Sequence, residues 1–231
     1  MILSYTPEEV AQDTNQGMGG MQAEAVEKRG DLWYNEISTN RNFCANHRGG
    51  LQMKAIETER LFLREWQKND VRDLFDIMKN PSVINGGWKP HSSINTSVGI
   101  LNEYIESNER WAVELKDTGK VIGGIRVYPD NNRGNFFAKT INYVLSKDYW
   151  GNGYMTEAVK RIIEYLFEEL DIDLISAFHY PDNDKSKKVL ERCGFQYEIT
   201  IEQGSTRYDG QVFDSVCYSI LKSDYFQSKS L

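Results

Sequence analysis

Cysteine is scarce in this chain, and the three present, Cys44, Cys193 and Cys217, are odd in number and far apart. A disulfide framework or a cysteine metal site needs paired or clustered thiols. They read as reduced thiols of a cytoplasmic protein, and no metal is expected. Basic charge is also short. There are 27 Lys and Arg against 34 Asp and Glu, a net charge of −7, whereas a dedicated nucleic-acid binder shows a basic balance or stripe. No nucleic-acid partner is expected. Long apolar runs are missing, so no segment reaches the length of a membrane span. The opening Met1-Ile2-Leu3-Ser4-Tyr5-Thr6-Pro7-Glu8-Glu9 does not join a basic start to an apolar core, as a secretory signal does. The expectation is a cytoplasmic protein without a membrane partner. Internal repeats and low-complexity tracts are absent too. What remains is 40% hydrophobic and 26% charged residues, the composition of a soluble globular protein. A length of 231 residues suits one sizeable α/β domain with an appendage, or two small domains.

Residues 1–52 differ from the rest of the chain. Thr6-Pro7-Glu8-Glu9 is a capping box with proline at the first helical position. Gly17, Gly19 and Gly20 soon interrupt it, and an Asn-rich polar stretch leads to Arg48-Gly49-Gly50. No sustained apolar face appears, so the segment cannot build a core alone. It is read as an N-terminal extension, either a flexible or docking arm or translated sequence upstream of a start at Met53. The second reading is preferred, because Met53-Lys54 leads directly into the first convincing strand. Residues 53–231 form the expected domain.

Within that domain, residues 60–66 alternate as a strand, and Asn69 or Asp70 precedes a helix carrying Val71, Leu74, Phe75 and Met78. Gly86, Gly87 and Trp88 come next, on a loop that is either a substrate-side lid or a tryptophan folded onto its own core. Residues 97–110 read as a helix. Residues 111–115, 121–128 and 136–145 read as an antiparallel meander with short turns. Met155, Ala158, Val159, Ile162, Ile163, Leu166, Phe167 and Leu170 recur at helical steps and give the clearest helix. Residues 174–180 are a buried strand, so strand, helix and strand form a βαβ unit with a parallel pair. Residues 185–192 are a helix ended by Cys193-Gly194-Phe195. Residues 195–201 and 212–221 form a hairpin, and the chain from Lys222 reads as a tail.

At the head of the clearest helix stands Tyr149-Trp150-Gly151-Asn152-Gly153-Tyr154-Met155-Thr156-Glu157-Ala158. A strand turning through glycines into a helix start gathers unpaired backbone N–H groups in one small volume, a place to hold an anion. Glycine lets the backbone approach a phosphate oxygen without an intervening Cβ. The alternative is that the glycines serve only a sharp turn.

Four segments together carry a family resemblance. They are Glu57-Thr58-Glu59-Arg60-Leu61-Phe62-Leu63-Arg64, the stretch from Trp150 to Ala158, Pro181-Asp182-Asn183-Asp184-Lys185-Ser186, and Leu190-Glu191-Arg192-Cys193-Gly194-Phe195. In this order, over residues 56 to about 222, the chain resembles the GNAT superfamily of acetyl-CoA-dependent N-acetyltransferases, and within it the RimJ/RimL type that acetylates protein N-termini. The resemblance implies a mixed α/β fold. Its sheet would be seven-stranded and mostly antiparallel, with one parallel splayed pair, flanked by about four helices. It implies acetyl-CoA as co-substrate, bound by Leu145, Gly151, Asn152, Gly153, Tyr154, Met155, Asn183 and Ser186. The pantetheine arm would lie in the gap between the splayed strands.

The implied reaction is direct attack of an amine on the thioester. Ser186 matches the position that protonates the leaving thiolate, with Tyr180 a nearby alternative; a serine in the first turn of a helix is also an ordinary local hydrogen-bonding residue. RimJ/RimL relatives often carry Glu-Ile-Gly-Tyr where this chain has Thr140-Ile141-Asn142-Tyr143. With that carboxylate missing, Glu114, Glu103 or His179 become base candidates, though for each a plain surface or core role is the preferred reading. An α-amine with a pKa of about 7.7–8.0 is already about one-tenth neutral at pH 7, so a weak base favours α-amines over lysine side chains. Asp148 stands where the motif usually opens on Arg or Gln. Cys193 has no evident His partner and is not expected to be a nucleophile. The acceptor is expected to be a protein or peptide N-terminal amine. A small-molecule amine and a catalytically weak acyl-CoA-binding module are the alternatives. The oligomeric state, monomer or homodimer, stays open.

Overall fold

The structure is a computed structural model that describes residues 53–134 and 137–229. The N-terminal extension inferred for residues 1–52 lies outside them. In chain order the elements are β1 (Ile56–Glu57), β2 (Leu61–Glu65), α1 (Val71–Met78), α2 (Ile94–Ser107), β3 (Arg110–Leu115), β4 (Val121–Pro129) and β5 (Ala138–Leu145). Then come α3 (Tyr154–Glu164), β6 (Leu174–His179), α4 (Asp184–Arg192), β7 (Gln196–Thr206), β8 (Val212–Leu221) and α5 (Lys222–Lys229). The strands form one sheet in the order β1-β2-β3-β4-β5-β6-β8-β7. All neighbours are antiparallel except β5 and β6. The sheet thus has eight strands where seven were expected; the addition is the two-residue β1, too short to show any alternation.

Each face of the sheet has its own apolar layer. Arg64 on β2 opposes Ala112 on β3. On that face Ala112 and Val121 join Trp66, Leu74, Ile77, Met78, Leu101 and Tyr104 in one core beneath α1 and α2. Trp66 and Tyr104 meet edge-on at 5.6 Å. Leu61, Leu63, Trp111 and Val113 occupy the other face by alternation, all fully buried. Trp111 meets Tyr165 at 6.1 Å there. Tyr165 opens a π-helical turn, Tyr165–Glu169, that continues α3. The wider turn keeps Tyr165, Leu166 and Phe167 all buried, which a strict 3.6-residue repeat does not do for three consecutive residues.

Several boundaries moved for local reasons. The helix expected from residue 97 begins at Ile94, because Ser93 accepts a hydrogen bond from the Thr96 N–H at 3.3 Å. It ends at Asn108 in the left-handed region, φ 48°, which leaves Arg110 as the first residue of β3. The expected tail is a helix, α5. Tyr225 anchors it by packing on Phe167 at 5.0 Å and donating a hydrogen bond to Glu168 at 2.7 Å. Trp88 packs against the α1–α2 core, which favours the second of its two readings.

The layer beneath α3 sets the position of everything at its N-terminus. Leu166→Ala, at a fully buried site, is expected to destabilise the domain by about 2–5 kcal/mol. Denaturant unfolding without added ligand measures it.

Candidate active site

β5 and β6 are held together for only part of their length. The parallel register runs from Ala138↔Leu174 to Thr140↔Ser176. Beyond it β5 stays paired to β4 as far as Leu145, opposite Gly123, and β6 stays paired to β8 as far as His179, opposite Val216. Residues 141–145 and 177–179 therefore flank a gap, each strand having lost the other as partner. Backbone N–H and C=O groups along such an edge need partners from elsewhere.

The head of α3 stands at the end of that gap. Gly151 and Gly153 have φ of 82° and 79°, values that side chains with a Cβ adopt only under strain. A Cβ on Gly151 would meet nothing within 4 Å, so backbone conformation rather than crowding selects glycine there. Gly153 is the N-cap residue and no side chain caps α3, which leaves its first N–H groups without an intrahelical partner. Trp150 Nε1–H donates to the Leu145 carbonyl at 2.9 Å, fixing the loop to the end of β5. Lys185 Nζ lies 3.8 Å from the centroid of the Trp150 ring, placing a cation from the first turn of α4 beside the loop.

Glu157 ties this loop to the start of the domain. Its carboxylate accepts from Thr58 Oγ1 at 2.6 Å, from the Arg60 N–H at 2.9 Å and from Arg60 Nε at 2.7 Å. Arg60 Nη1 donates to the Asn152 carbonyl at 3.1 Å, and the guanidinium lies 4.5 Å from the Tyr154 ring centroid. Two of the four segments singled out in the sequence are thus one hydrogen-bonded unit. Burial alone would raise the Glu157 carboxyl, but the hydrogen bonds from Thr58 and Arg60 outweigh it and hold the group below its ordinary value.

On the far side of the gap, Asn183 caps α4. Its Oδ1 accepts from the Ser186 N–H at 3.2 Å and its Nδ2 donates to the Asn85 carbonyl at 2.9 Å. Ser186 Oγ lies 2.9 Å from Tyr143 Oη, and Tyr143 also donates to the Ser186 carbonyl at 3.1 Å. Tyr143 belongs to β5, so this pair bridges the gap. Burial, offset in part by Ser186, drives its phenol well above the ordinary tyrosine value. Tyr180 is buried against Phe213 at 4.9 Å. A Cβ on Gly87 would come within 2.8 Å of its hydroxyl, so glycine at 87 makes room for it.

The other residues singled out lie apart from this group. Glu114 is on β3, two strands from the gap, and pairs with Arg64. Arg64 is itself bidentate to Asp70 at 2.8 and 3.0 Å. Glu103 is exposed on α2. His179 is buried, with Nδ1 2.7 Å from the Tyr180 carbonyl. Cys193 is buried, its Sγ–H donating to the Thr156 carbonyl at 3.6 Å, and burial pushes its thiol up to about 12. A thiol with that value is inert near neutral pH.

Sequence reasoning missed two features. One is the part of Tyr143 in spanning the gap. The other is a chain running from Thr140 Oγ1 to Ser176 Oγ (2.9 Å) and on to Asp130 Oδ2 (2.6 Å). Its two hydroxyls stand at the last paired rung of β5 and β6, and it ends on a carboxylate held by Arg133 at 3.2 Å. The period-two pattern puts Thr140 and Ser176 on a sheet face, but only the register brings them together. Among the described residues no group of three or more His, Cys, Asp or Glu is arranged to hold a metal, and no helix is long and apolar enough to cross a membrane.

Because its folded value is lowered, Glu157 contributes stability that is full above its ordinary value of 4.5 and is lost as pH falls through the lowered one. Glu157→Gln is therefore expected to melt below the wild type at neutral pH. That difference should shrink as the solution is acidified below about 4.5. Melting curves across pH check both parts.

Comparison with known proteins bears on this arrangement. The acetyltransferase (GNAT) domain family matches residues 60–196. The uncharacterized N-acetyltransferase YoaA of Bacillus subtilis is 27% identical over 175 residues, 72% of this chain and 96% of its own length. The [ribosomal protein uS5]-alanine N-acetyltransferase of Escherichia coli is 26% identical over 188 residues, 78% of this chain and 96% of its own. Among solved structures, a GCN5-related N-acetyltransferase from Brucella melitensis superposes with a TM-score of 0.70 at 19% identity, covering 79% of this chain and 85% of its own. The ribosomal-protein-S5-alanine acetyltransferase of Vibrio fischeri does so with a TM-score of 0.62 at 24% identity, covering 75% and 99%. The splayed pair, the glycine turn at the head of α3 and the matched family agree, and the chain belongs to the GNAT family of acetyltransferases.

Proposed function

We propose that this enzyme transfers an acetyl group from acetyl-CoA to the N-terminal α-amine of a protein or peptide. The observation that carries the donor half is the gap between β5 and β6 with the uncapped head of α3 at its end. The residues fit that donor. The amides of Gly151, Asn152, Gly153, Tyr154 and Met155 would receive its pyrophosphate, at a turn where the positive φ of both glycines is met without strain. The open backbone edge near Leu145 and the Asn183 side chain would hold its amide-bearing arm. For Asn183 this requires exchanging its present bond to the Asn85 carbonyl. The ribosomal-protein-S5-alanine acetyltransferases among the relatives support the acceptor half, since alanine has no side-chain amine and its nitrogen in a protein is a free amine only at the N-terminus.

When bound, acetyl-CoA supplies the activated acyl group as a thioester. The amine nitrogen forms a bond to the acyl carbon, the C–S bond breaks, the amine loses a proton and the thiolate gains one. The products are an N-acetyl amide and free coenzyme A thiol. In this reading Ser186 donates the proton to sulfur and takes one back from solvent, with the Tyr143 hydroxyl hydrogen-bonded behind it. Because its phenol is driven far above the ordinary value, Tyr143 stays protonated throughout the working pH range. The Tyr180 hydroxyl is the alternative donor. The Thr140–Ser176–Asp130 chain takes the amine proton toward a carboxylate. It stands in for the glutamate this chain lacks at Thr140. Glu114, held by Arg64, is left to hold β2 and β3 together.

Free-thiol release from acetyl-CoA with a panel of peptides, amino acids and polyamines tests the reading. Turnover on peptide α-amines is the expected result. Turnover on small amines alone would reassign the acceptor, and acetyl-CoA binding without any turnover would leave only a binding module. Gly151→Val should remove the thermal shift caused by acetyl-CoA while the protein remains folded; an unchanged shift would refute the cradle. Ser186→Ala should lower kcat by about a hundredfold with little change in acetyl-CoA affinity. If Tyr180→Phe shows that loss instead, the proton donor is Tyr180.

A further inference from the structure

A row of three polar residues crosses the sheet to the gap. Arg110 on β3 opposes Arg126 on β4, and Arg126 opposes Asn142 on β5. Directly opposed residues of antiparallel strands share a face. Two residues along, that face continues through Ala112, Gly124 and Val144, where Trp66 of the α1–α2 core packs. The row thus lies on the α1–α2 side of the sheet and ends at the β5 edge that β6 has left.

Two groups in this row lack a hydrogen-bond partner among the described residues. Asn142 Oδ1 is buried and accepts no hydrogen bond there. The Arg110 guanidinium sits 4.3 Å from the Tyr104 ring centroid and 5.9 Å from that of Trp88. Among the described residues it has no hydrogen bond and no carboxylate within ion-pair distance. Arg126 does have one, Glu109 at 3.0 Å. The other carboxylate felt by Arg110, Glu103, is exposed on α2 and acts only through space. Burial lowers the Arg110 guanidinium below its ordinary value, and Arg126 adds to this. Aromatic faces offset part of the desolvation of a cation, but they leave its donors unused. A buried acceptor without a donor is likewise unfavourable until something fills it.

We propose that Arg110, Arg126 and Asn142 form the acceptor subsite and select an amine that also carries a carboxylate. Asn142 Oδ1 accepts from an N–H of the amine at the gap. Arg110, assisted by Arg126, takes the carboxylate with the fork geometry suited to it. Strand spacing places the two arginines about 5 and 10 Å along the row from Asn142. That span suits an Asp or Glu side chain near a peptide N-terminus, or the distal carboxylate of a free amino acid. This inference rests on the proposed transfer to a primary amine and goes further in naming that amine's chemistry.

The test pairs binding calorimetry with thiol release, using the full chain with Ala-Asp-Ala-Ala amide, Ala-Asn-Ala-Ala amide and free glutamate. The wild type should favour the Asp peptide over the Asn peptide by roughly tenfold or more in both measurements. Arg110→Gln should bring that ratio to about one, and Arg110→Lys, which keeps the cation, should retain part of it. Glutamate binding more tightly than the Asp peptide would identify a free amino acid as the carboxylate source. Equal binding of the two peptides by the wild type, or a preference that survives Arg110→Gln, overturns the proposal. An Asp preference in binding that Arg110→Gln removes, with no thiol released, would leave the subsite standing and sink the acetyl-transfer reading.

Discussion

The parting of β5 from β6 is the constraint on which the site depends. A sheet is stable because each strand satisfies the backbone of the next, and here that exchange stops after Thr140↔Ser176. It can stop without unravelling the sheet because each strand keeps its outer neighbour, β4 on one side and β8 on the other. Along the gap each strand's backbone has lost the other as partner, and the Tyr143–Ser186 pair spans it. An extended ligand with its own amides is the natural occupant of such an edge.

The glycine turn at the head of α3 stays at the end of that gap because Glu157 fixes it there. One carboxylate collects a threonine hydroxyl, a backbone amide and a guanidinium from the β1–β2 region. The same guanidinium grips the turn at Asn152. The glycines permit the turn, and the ion pair holds it in place. Trp150, bonded to the Leu145 carbonyl, supplies the second attachment. The apolar stripe of α3 fixes the helix axis, so the N–H groups at its head point from a rigid base.

Local features were legible in the sequence and long-range partnerships were not. The period of α3, the βαβ unit and the glycine turn are written in a few adjacent residues, and the structure has all three. The eighth strand was invisible because two residues show no alternation. The C-terminal helix was missed because its buried anchor, Tyr225, and the exposed Phe226 beside it make no repeating stripe among the polar residues. Nothing near Tyr143 announces a partner 43 residues later. Thr140, Ser176 and Asp130 meet only once the register is known, and the same holds for Arg110, Arg126 and Asn142. Glu114 is a similar case, since nothing in its strand foretells that Arg64 pairs with it.

The central claim is that the open edge of β5 and the head of α3 receive one ligand, acetyl-CoA. Amide hydrogen exchange with and without acetyl-CoA tests it most directly. The account predicts that protection rises together in residues 141–145 and 151–155, with little change on β7 or α5. Protection confined to other elements, or none at saturating ligand, would contradict it.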